Sequence, residues 1–302
     1  MKIEALKGEK ILNFIDYCKK YRREVDDSYL YDEDLREFQP NEENPTYILI
    51  NDENIIVGAV SLIIDSYYKN GKRGRFRIFH TVLQKKEAYE LMLNAILQHT
   101  DEIDKVFLFI KEENDKTATI LKSLNFYIER YSFTLVRDSI DTCQPVFPQG
   151  FCIREFQLGK DEDDWCEVRN EAFAKLAGSE TPKTPEMIRK MAKSEDLLEG
   201  GMRLLYHDKK AVGQVCISKE FDNGTVYTFI SSLSVKPEYH GMGLGRNLLR
   251  EAICYGKGKG ISKSMLTVNA ENDKAVELYI KEGFKKAETV VCYNYQLKKE
   301  EE

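Results

Sequence analysis

A chain of 302 residues, 42% hydrophobic and 32% charged, has the composition of a globular protein and the length of two ordinary domains. No apolar run approaches the roughly 20 residues that cross a bilayer, and the charged opening MKIEALKGEKILNF lacks a signal-peptide apolar block, so a cytoplasmic protein with no membrane partner is expected. A formal charge of −6 argues against a general nucleic-acid binder, and seven scattered cysteines without a C-x-x-C argue for reduced thiols over a disulfide framework or a metal site.

Apolar spacing predicts a helix over 9–23, with Ile11, Leu12, Phe14, Ile15 and Cys18 on one side. Strands are expected at 47–50 and 55–64, joined by the Asn51-Asp52-Glu53-Asn54 turn, and at 75–82. A helix over 86–97, a buried strand over 106–110, a helix over 115–124 and a strand near 131–136 complete a first domain, residues 1–137. Residues 138–150, with Pro145 and Pro148, read as a linker. The second domain, 151–302, opens with a strand over 152–156 and a helix over 161–176 carrying the only tryptophan, Trp165. Thr184 as N-cap and Pro185 at the first helical position start a helix reaching about residue 198. A hairpin over 202–206 and 212–218 follows, then an apolar strand over 226–235, a strand over 265–268 and a helix from Asn272. An antiparallel pair is expected within 284–297.

Between Val235 and the next helix lies KPEYHGMGLGR, dense in glycine at Gly241, Gly243 and Gly245. Glycine admits positive φ and leaves no side chain in a ligand's way. Free amides at a helix start, at the positive end of its dipole, suit a phosphate or pyrophosphate. The turn therefore points to a phosphate-bearing ligand, with a ligand-free glycine turn as the plainer alternative. A Rossmann site fits poorly: five residues separate strand from glycines, and the next strand runs into Val268-Asn269 with no acidic residue.

The order strand, V-x-P-E-Y, x-G-x-G-x-G, helix resembles the acyl-CoA-binding segment of the GNAT N-acetyltransferases. The family pattern Gln/Arg-x-x-Gly-x-Gly/Ala lands on His240, Gly243 and Gly245. His240 departs from the usual first residue, which matters little if backbone amides hold the phosphates. LTVNAENDKAVELYIKEGF (266–284) looks like the family's next strand and helix, with Asn272, Ala275, Tyr279 and Gly283-Phe284 in the expected places. The two segments cover about the last third of the chain.

The two halves also resemble each other. YILINDENIIVGAVSL matches RLLYHDKKAVGQVCI, pairing Gly58 with Gly213. Ala95-Ile96 pairs with Ala252-Ile253, Asn114-Asp115-Lys116 with Asn272-Asp273-Lys274, and Asn125-Phe126 with Gly283-Phe284. In the first half Leu121 replaces Tyr279, and HTVLQKKEAYEL (80–91) has no glycine. That half is expected to keep the fold without the phosphate turn or the phenol.

The resemblance implies an α+β chain of two tandem GNAT-like domains, each a mixed, mostly antiparallel twisted sheet flanked by helices. The first is degenerate and the second binds acetyl-CoA as cosubstrate, with no metal. Strand 226–235 should splay from 265–268, so that pantetheine pairs with main-chain groups of Leu233, Ser234 and Val235. The pyrophosphate should lie on the turn His240, Gly241, Met242, Gly243, Leu244, Gly245 and Arg246, with Asn269, Asn272 and Tyr279 completing the site. Asn272 should cap its helix as well.

Amide formation from a thioester needs a neutral amine and a proton donor for the departing thiolate. The resemblance gives the donor's role to Tyr279. Many relatives place a glutamate where this chain has Ile230-Ser231-Ser232, so the base is left among Glu220, Asp222 and a water chain from Ser231 or Ser232. The implied activity is direct acetyl transfer from acetyl-CoA to a primary amine, in a small molecule or a peptide, by a monomer or homodimer. A non-catalytic acyl-CoA-binding or protein-interaction module is the alternative. Tandem relatives include the mycothiol synthases, so the first domain either shapes the acceptor pocket or only buries surface.

Overall fold

Alternating apolar residues near the amino terminus build a first sheet. In the computed structural model, which describes residues 1–297 except 140, 142, 143 and 223, β1 (Lys2–Ala5), β2 (Thr46–Ile50), β3 (Ile56–Ile63) and β4 (Arg73–Thr81) pair antiparallel in that order. β4 then runs parallel to β5 (Lys105–Lys111), but only from Arg73↔Lys105 to Arg75↔Phe107. Helices α1 (Lys10–Tyr21), α2 (Asp32–Arg36), α3 (Ser66–Asn70), α4 (Lys86–Leu97) and α5 (Asp115–Ser123) accompany this sheet. Strand β1 has only four residues, too few for a periodic signal in the sequence.

The second half repeats the plan. After β6 (Tyr127–Arg137) come β7 (Phe151–Glu155), β8 (Leu197–His207), β9 (Lys210–Asp222) and β10 (Thr225–Val235), and the last four pair antiparallel in sequence order. β10 pairs parallel with β11 (Ser264–Asn269), and the chain ends in β12 (Lys285–Gln296). Its helices are α6 (Glu162–Phe173), α7 (Pro185–Met191), α8 (Leu244–Gly258) and α9 (Asp273–Lys281). Thr184 caps α7 through Met187 N, with Pro185 inside the first turn as its sequence predicts. The helix then ends at Met191, short of residue 198, because β8 already starts at Leu197.

The chain forms two compact units, Met1–Tyr131 with Thr289–Glu302, and Ser132–Glu288. This differs from the division at 138–150 read from the sequence. Residues 132–137 of β6 pair with β11 along its whole length, burying Leu135 with Leu266 and Phe284. Residues 290–296 of β12 pair with β5, burying Val291 and Tyr293 with Leu108, Leu121 and Phe126. Residues 285–296 are thus one strand, not the expected antiparallel pair. An alternating strand pattern shows which residues are buried but not which sheet it joins.

The internal repeat is visible bond by bond. Asn114 (φ −87°, ψ 65°) caps α5 and Asn272 (φ −85°, ψ 63°) caps α9. Phe126 N donates to Leu121 O at 3.0 Å, and Phe284 N to Tyr279 O at 3.0 Å. The residue between takes positive φ in both copies, Asn125 at 67° and Gly283 at 89°.

In the second unit the sheet carries one apolar cluster with α8 and α9, including Leu248, Leu249, Ala252 and Tyr279. A separate cluster forms with α6 and α7, including Trp165, Val168, Ile188 and Cys216. Helix α8 lies so close to β10 that a Cβ on Gly256 would sit 1.9 Å from Thr228 Oγ1, whereas one on Gly258 would meet nothing within 4 Å. Gly256→Ala is therefore expected to lower stability by about 1–3 kcal/mol through overpacking. Gly258→Ala should be neutral or stabilising by up to about 1 kcal/mol. Thermal unfolding of the two variants checks this; equal midpoints would contradict the close approach of α8 to β10.

Candidate active site

The site is built where two parallel strands part. β10 and β11 are in register only at Thr228↔Ser264 and Phe229↔Met265, after which both run on unpaired with each other, to Val235 and Asn269. On its other edge β10 follows β9 to Ser231↔Cys216 and resumes at Ser234↔Gln214, with a bulge between. Ser232, inside the bulge, holds a positive φ of 49°. Ser232 and Leu233 therefore have a register partner on neither side. The Ser232 carbonyl accepts from Ser234 Oγ at 3.3 Å, and the edge of β10 that faces β11 is left open beyond Phe229, where an extended amide-bearing ligand can pair with the main chain.

The turn beyond Val235 begins with a single 3₁₀ turn over Pro237–Tyr239. His240 N donates to Pro237 O at 3.1 Å, so this amide is used inside the turn, which corrects its expected place among the phosphate donors. The imidazole Nε2 is 2.9 Å from Val235 O. Gly241 (φ 83°) and Gly243 (φ 75°) both need the left-handed region that favours glycine, and a Cβ on either would meet nothing within 4 Å. Gly243 is the N-cap of α8 and offers no side chain to its amides. The first helical bond is Asn247 N to Gly243 O at 3.1 Å. Among the described residues, the amides from Gly241 to Arg246 donate to no backbone carbonyl outside the helix, and Gly241, Met242, Gly243 and Arg246 are exposed. An anion placed there meets the positive end of a 15-residue helix.

Tyr279 lies on α9 in the same apolar cluster as Val235, Leu266 and Val268. It is 8% exposed, and burial alone pushes its phenol up to about 12 from an ordinary 10.0. At neutral pH it is a proton donor held in apolar surroundings. Asn272 Oδ1 caps α9 by accepting from Ala275 N at 3.4 Å. Asn269 is tied at both ends of its amide: Nδ2 donates to Ala177 O at 2.8 Å, and Oδ1 accepts from Ser132 Oγ at 3.2 Å.

Glu220 is not brought to this site. Its register partner is Tyr227, five residues before Ser232, and β10 spaces those two by about 16 Å. Asp222 pairs with Thr225, farther still toward the hairpin end. Ser231 and Ser232, by contrast, sit where the strands part.

Three charged features escape sequence reading, two of them because their partners are distant along the chain. Lys236, fully buried, lies immediately after the parting strand and gives its ammonium to Glu167 and, at 3.2 Å, to Glu171 of α6. Burial pushes its pKa down, and the two glutamate hydrogen bonds more than offset that, leaving it above the usual lysine value. Glu282, 9% exposed, holds Arg250 through two 2.8 Å contacts and Arg246 Nε at 3.1 Å. It joins the end of α9 to the first turns of α8. On the opposite face Asp161 holds Arg154 at 2.7 and 2.9 Å and accepts from Gln157 N at 2.7 Å.

Comparison with known proteins fits this geometry. A family model described as "Acetyltransferase (GNAT) family" matches residues 163–284. A mycothiol acetyltransferase of Streptomyces bingchenggensis is 30% identical over 162 residues, covering 51% of this chain and 49% of that protein, so the chain spans about half the length of that relative in the match. A mycothiol acetyltransferase of Stackebrandtia nassauensis is 26% identical over 280 residues, 87% of each chain. A solved structure described as a tandem GNAT protein from the clavulanic acid biosynthesis pathway superposes with TM-score 0.69 over 99% of both chains at 13% identity, which shows the fold alone. Among the described residues no helix is long and apolar enough to cross a membrane.

The folded value for Tyr279 lies above the unfolded one, so its stabilising contribution is complete below about pH 10 and is lost as pH rises toward 12. An ultraviolet difference titration of the wild type against Tyr279→Phe should place one phenol near 12. A difference centred near 10 would contradict the burial of this side chain.

Proposed function

Residues 163–284 form a domain of the GNAT acetyltransferase family, and on that premise we propose that the chain transfers the acetyl group of acetyl-CoA to a primary amine. One observation carries the reading. The parting of β10 from β11 leads directly into a helix start whose amides no side chain caps. The gap takes the amide-bearing pantetheine arm, and the amides from Gly241 to Arg246 donate to the diphosphate oxygens. The same stretch of β10 supplies a backbone N–H of Ser232 or Leu233, which have no register partner on either side, to polarise the thioester carbonyl.

In this mechanism the amine nitrogen attacks the thioester carbon, the C–N bond forms and the C–S bond breaks. The amine's surplus proton leaves through water at Ser231 or Ser232, the polar side chains where the strands part. Tyr279 gives its phenolic proton to the departing sulfur and recovers one from solvent; burial keeps it protonated until then. Donor binding belongs to the second half. In the first, Leu121 replaces the phenol, and no glycine lies between Thr81 and the start of α4.

Tyr279→Phe is expected to lower kcat by about 100-fold or more while leaving CoA affinity within about threefold, because general-acid help is worth roughly 10²–10⁴. Steady-state release of CoA over an amine panel, with calorimetric binding of CoA alongside, checks both parts. CoA binding without turnover for any amine would favour the non-catalytic acyl-CoA-binding module, and full turnover in the Tyr279→Phe variant would remove Tyr279 as the proton donor.

A further inference from the structure

We propose that α6 and the segment that follows it form a brace across the parting of β10 and β11, with Lys236 and Asn269 as its two positioning residues. This rests on the acetyl-transfer reading and names the residues that hold the donor cleft at the width the reaction needs.

Each parted strand is tied to the α6 region at its far end. Lys236 follows β10 directly, and its N–H donates to Val212 O at 2.8 Å, which keeps the main chain on β9. Its ammonium donates to Glu167 and, at 3.2 Å, to Glu171 of α6. Asn269 is the last residue of β11, and its Nδ2 donates at 2.8 Å to the carbonyl of Ala177, just past the end of α6. Ser132 Oγ donates to Asn269 Oδ1 at 3.2 Å and so fixes the orientation of that amide. Glu171 and Ala177 are six residues apart in the chain, so the link from one strand to the other is short. Both ties lie on one face of the sheet. Leu266 and Val268 of β11 face the α8/α9 cluster, and strand alternation puts Asn269 on the opposite face. Cys216 belongs to the α6/α7 cluster, and its register partner Ser231 shares that face. The brace therefore stands on the side of the parting that Ser231 faces, where the acceptor amine loses its proton.

A fully buried lysine is a costly way to pack a helix. An apolar side chain of similar length fills the same space, and exchanging a buried ion pair for such groups is often neutral or stabilising. What the ammonium adds is direction: two carboxylates one helical turn apart fix α6 along its axis as well as against the sheet. The parallel ladder holds β10 and β11 together at only two positions, so at the mouth of the gap their separation depends on what ties them there. A misplacement of about 1 Å at the reacting carbonyl costs on the order of 100-fold in rate. The brace thus acts on turnover, while affinity for CoA stays with the amides of the glycine turn.

The test uses the full chain and CoA. Peptide-resolved amide hydrogen exchange should slow over 174–184 when CoA is added to the wild type. Lys236→Met and Asn269→Asp should each abolish that slowing; the aspartate keeps the bond from Ser132 but cannot donate to Ala177. Both variants should turn over the best amine of a panel with kcat at least about tenfold lower and CoA affinity within about threefold. Lys236→Met should keep the wild-type melting temperature, because Glu167 and Glu171 are about half exposed and water takes their charges. Tyr206→Phe, which cuts a hydrogen bond from β8 to Asp164 of α6, should lower the melting temperature and keep kcat. Wild-type exchange over 174–184 that ignores bound CoA overturns the proposal, as does full kcat in the two brace variants. A kcat that falls only in step with melting temperature also overturns it. Slowing that both variants abolish, without turnover of any amine, supports the brace and rejects the acetyl-transfer reading instead. Absence of CoA binding overturns both.

Discussion

The second unit depends on a hydrogen-bond ladder that stops. Two parallel strands held at Thr228↔Ser264 and Phe229↔Met265 part while both continue for several residues. The ladder with β9 breaks within two residues of the same place, at a bulge that holds Ser232 at positive φ. Backbone left unpaired costs free energy unless something else pairs with it. The sheet tolerates the gap because it is braced elsewhere: β11 is in register with β6 along its full length, and α8 presses on Thr228 through Gly256. The opening is thus a fixed feature of a well-anchored sheet, and the turn that follows continues it with free amides.

Comparison of the two copies shows how little separates a site from its fold. β4 and β5 also part, after Arg75↔Phe107, and α5 is capped by Asn114 as α9 is by Asn272. What changes is the turn and one side chain. Gln84, at positive φ without being glycine, precedes α4 after a shorter connection, and Leu121 fills the place of Tyr279. The packing that holds the helix survives the exchange of phenol for isobutyl, since both side chains are buried in their cores.

Much of this was legible in the sequence. Gly241 and Gly243 announce the turn because few other residues take their φ values, and Asn272 announces a helix start because its side chain caps one. The apolar pattern placed most of the longer elements, but not β1, α2 or α3, which are four or five residues long and too short for a periodic signal. The strand pairing between distant segments was not legible, since Val291 and Tyr293 read as buried whichever sheet they complete. Nor were Lys236 with Glu167, or Arg246 and Arg250 with Glu282, where the partners are joined only by folding. Glu220 shows the opposite failure. A carboxylate near the right strand in sequence lies at the wrong end of it in space.

The central claim is that unpaired peptide groups, rather than charged side chains, hold the donor. Peptide-resolved amide hydrogen exchange with and without CoA tests it most directly. Exchange should slow on CoA addition in the stretches spanning 230–235 and 241–246 and stay unchanged in the corresponding stretch of the other copy, 76–86. Unchanged exchange at 230–235 and 241–246 under saturating CoA, or slowing confined to 76–86, would contradict the account.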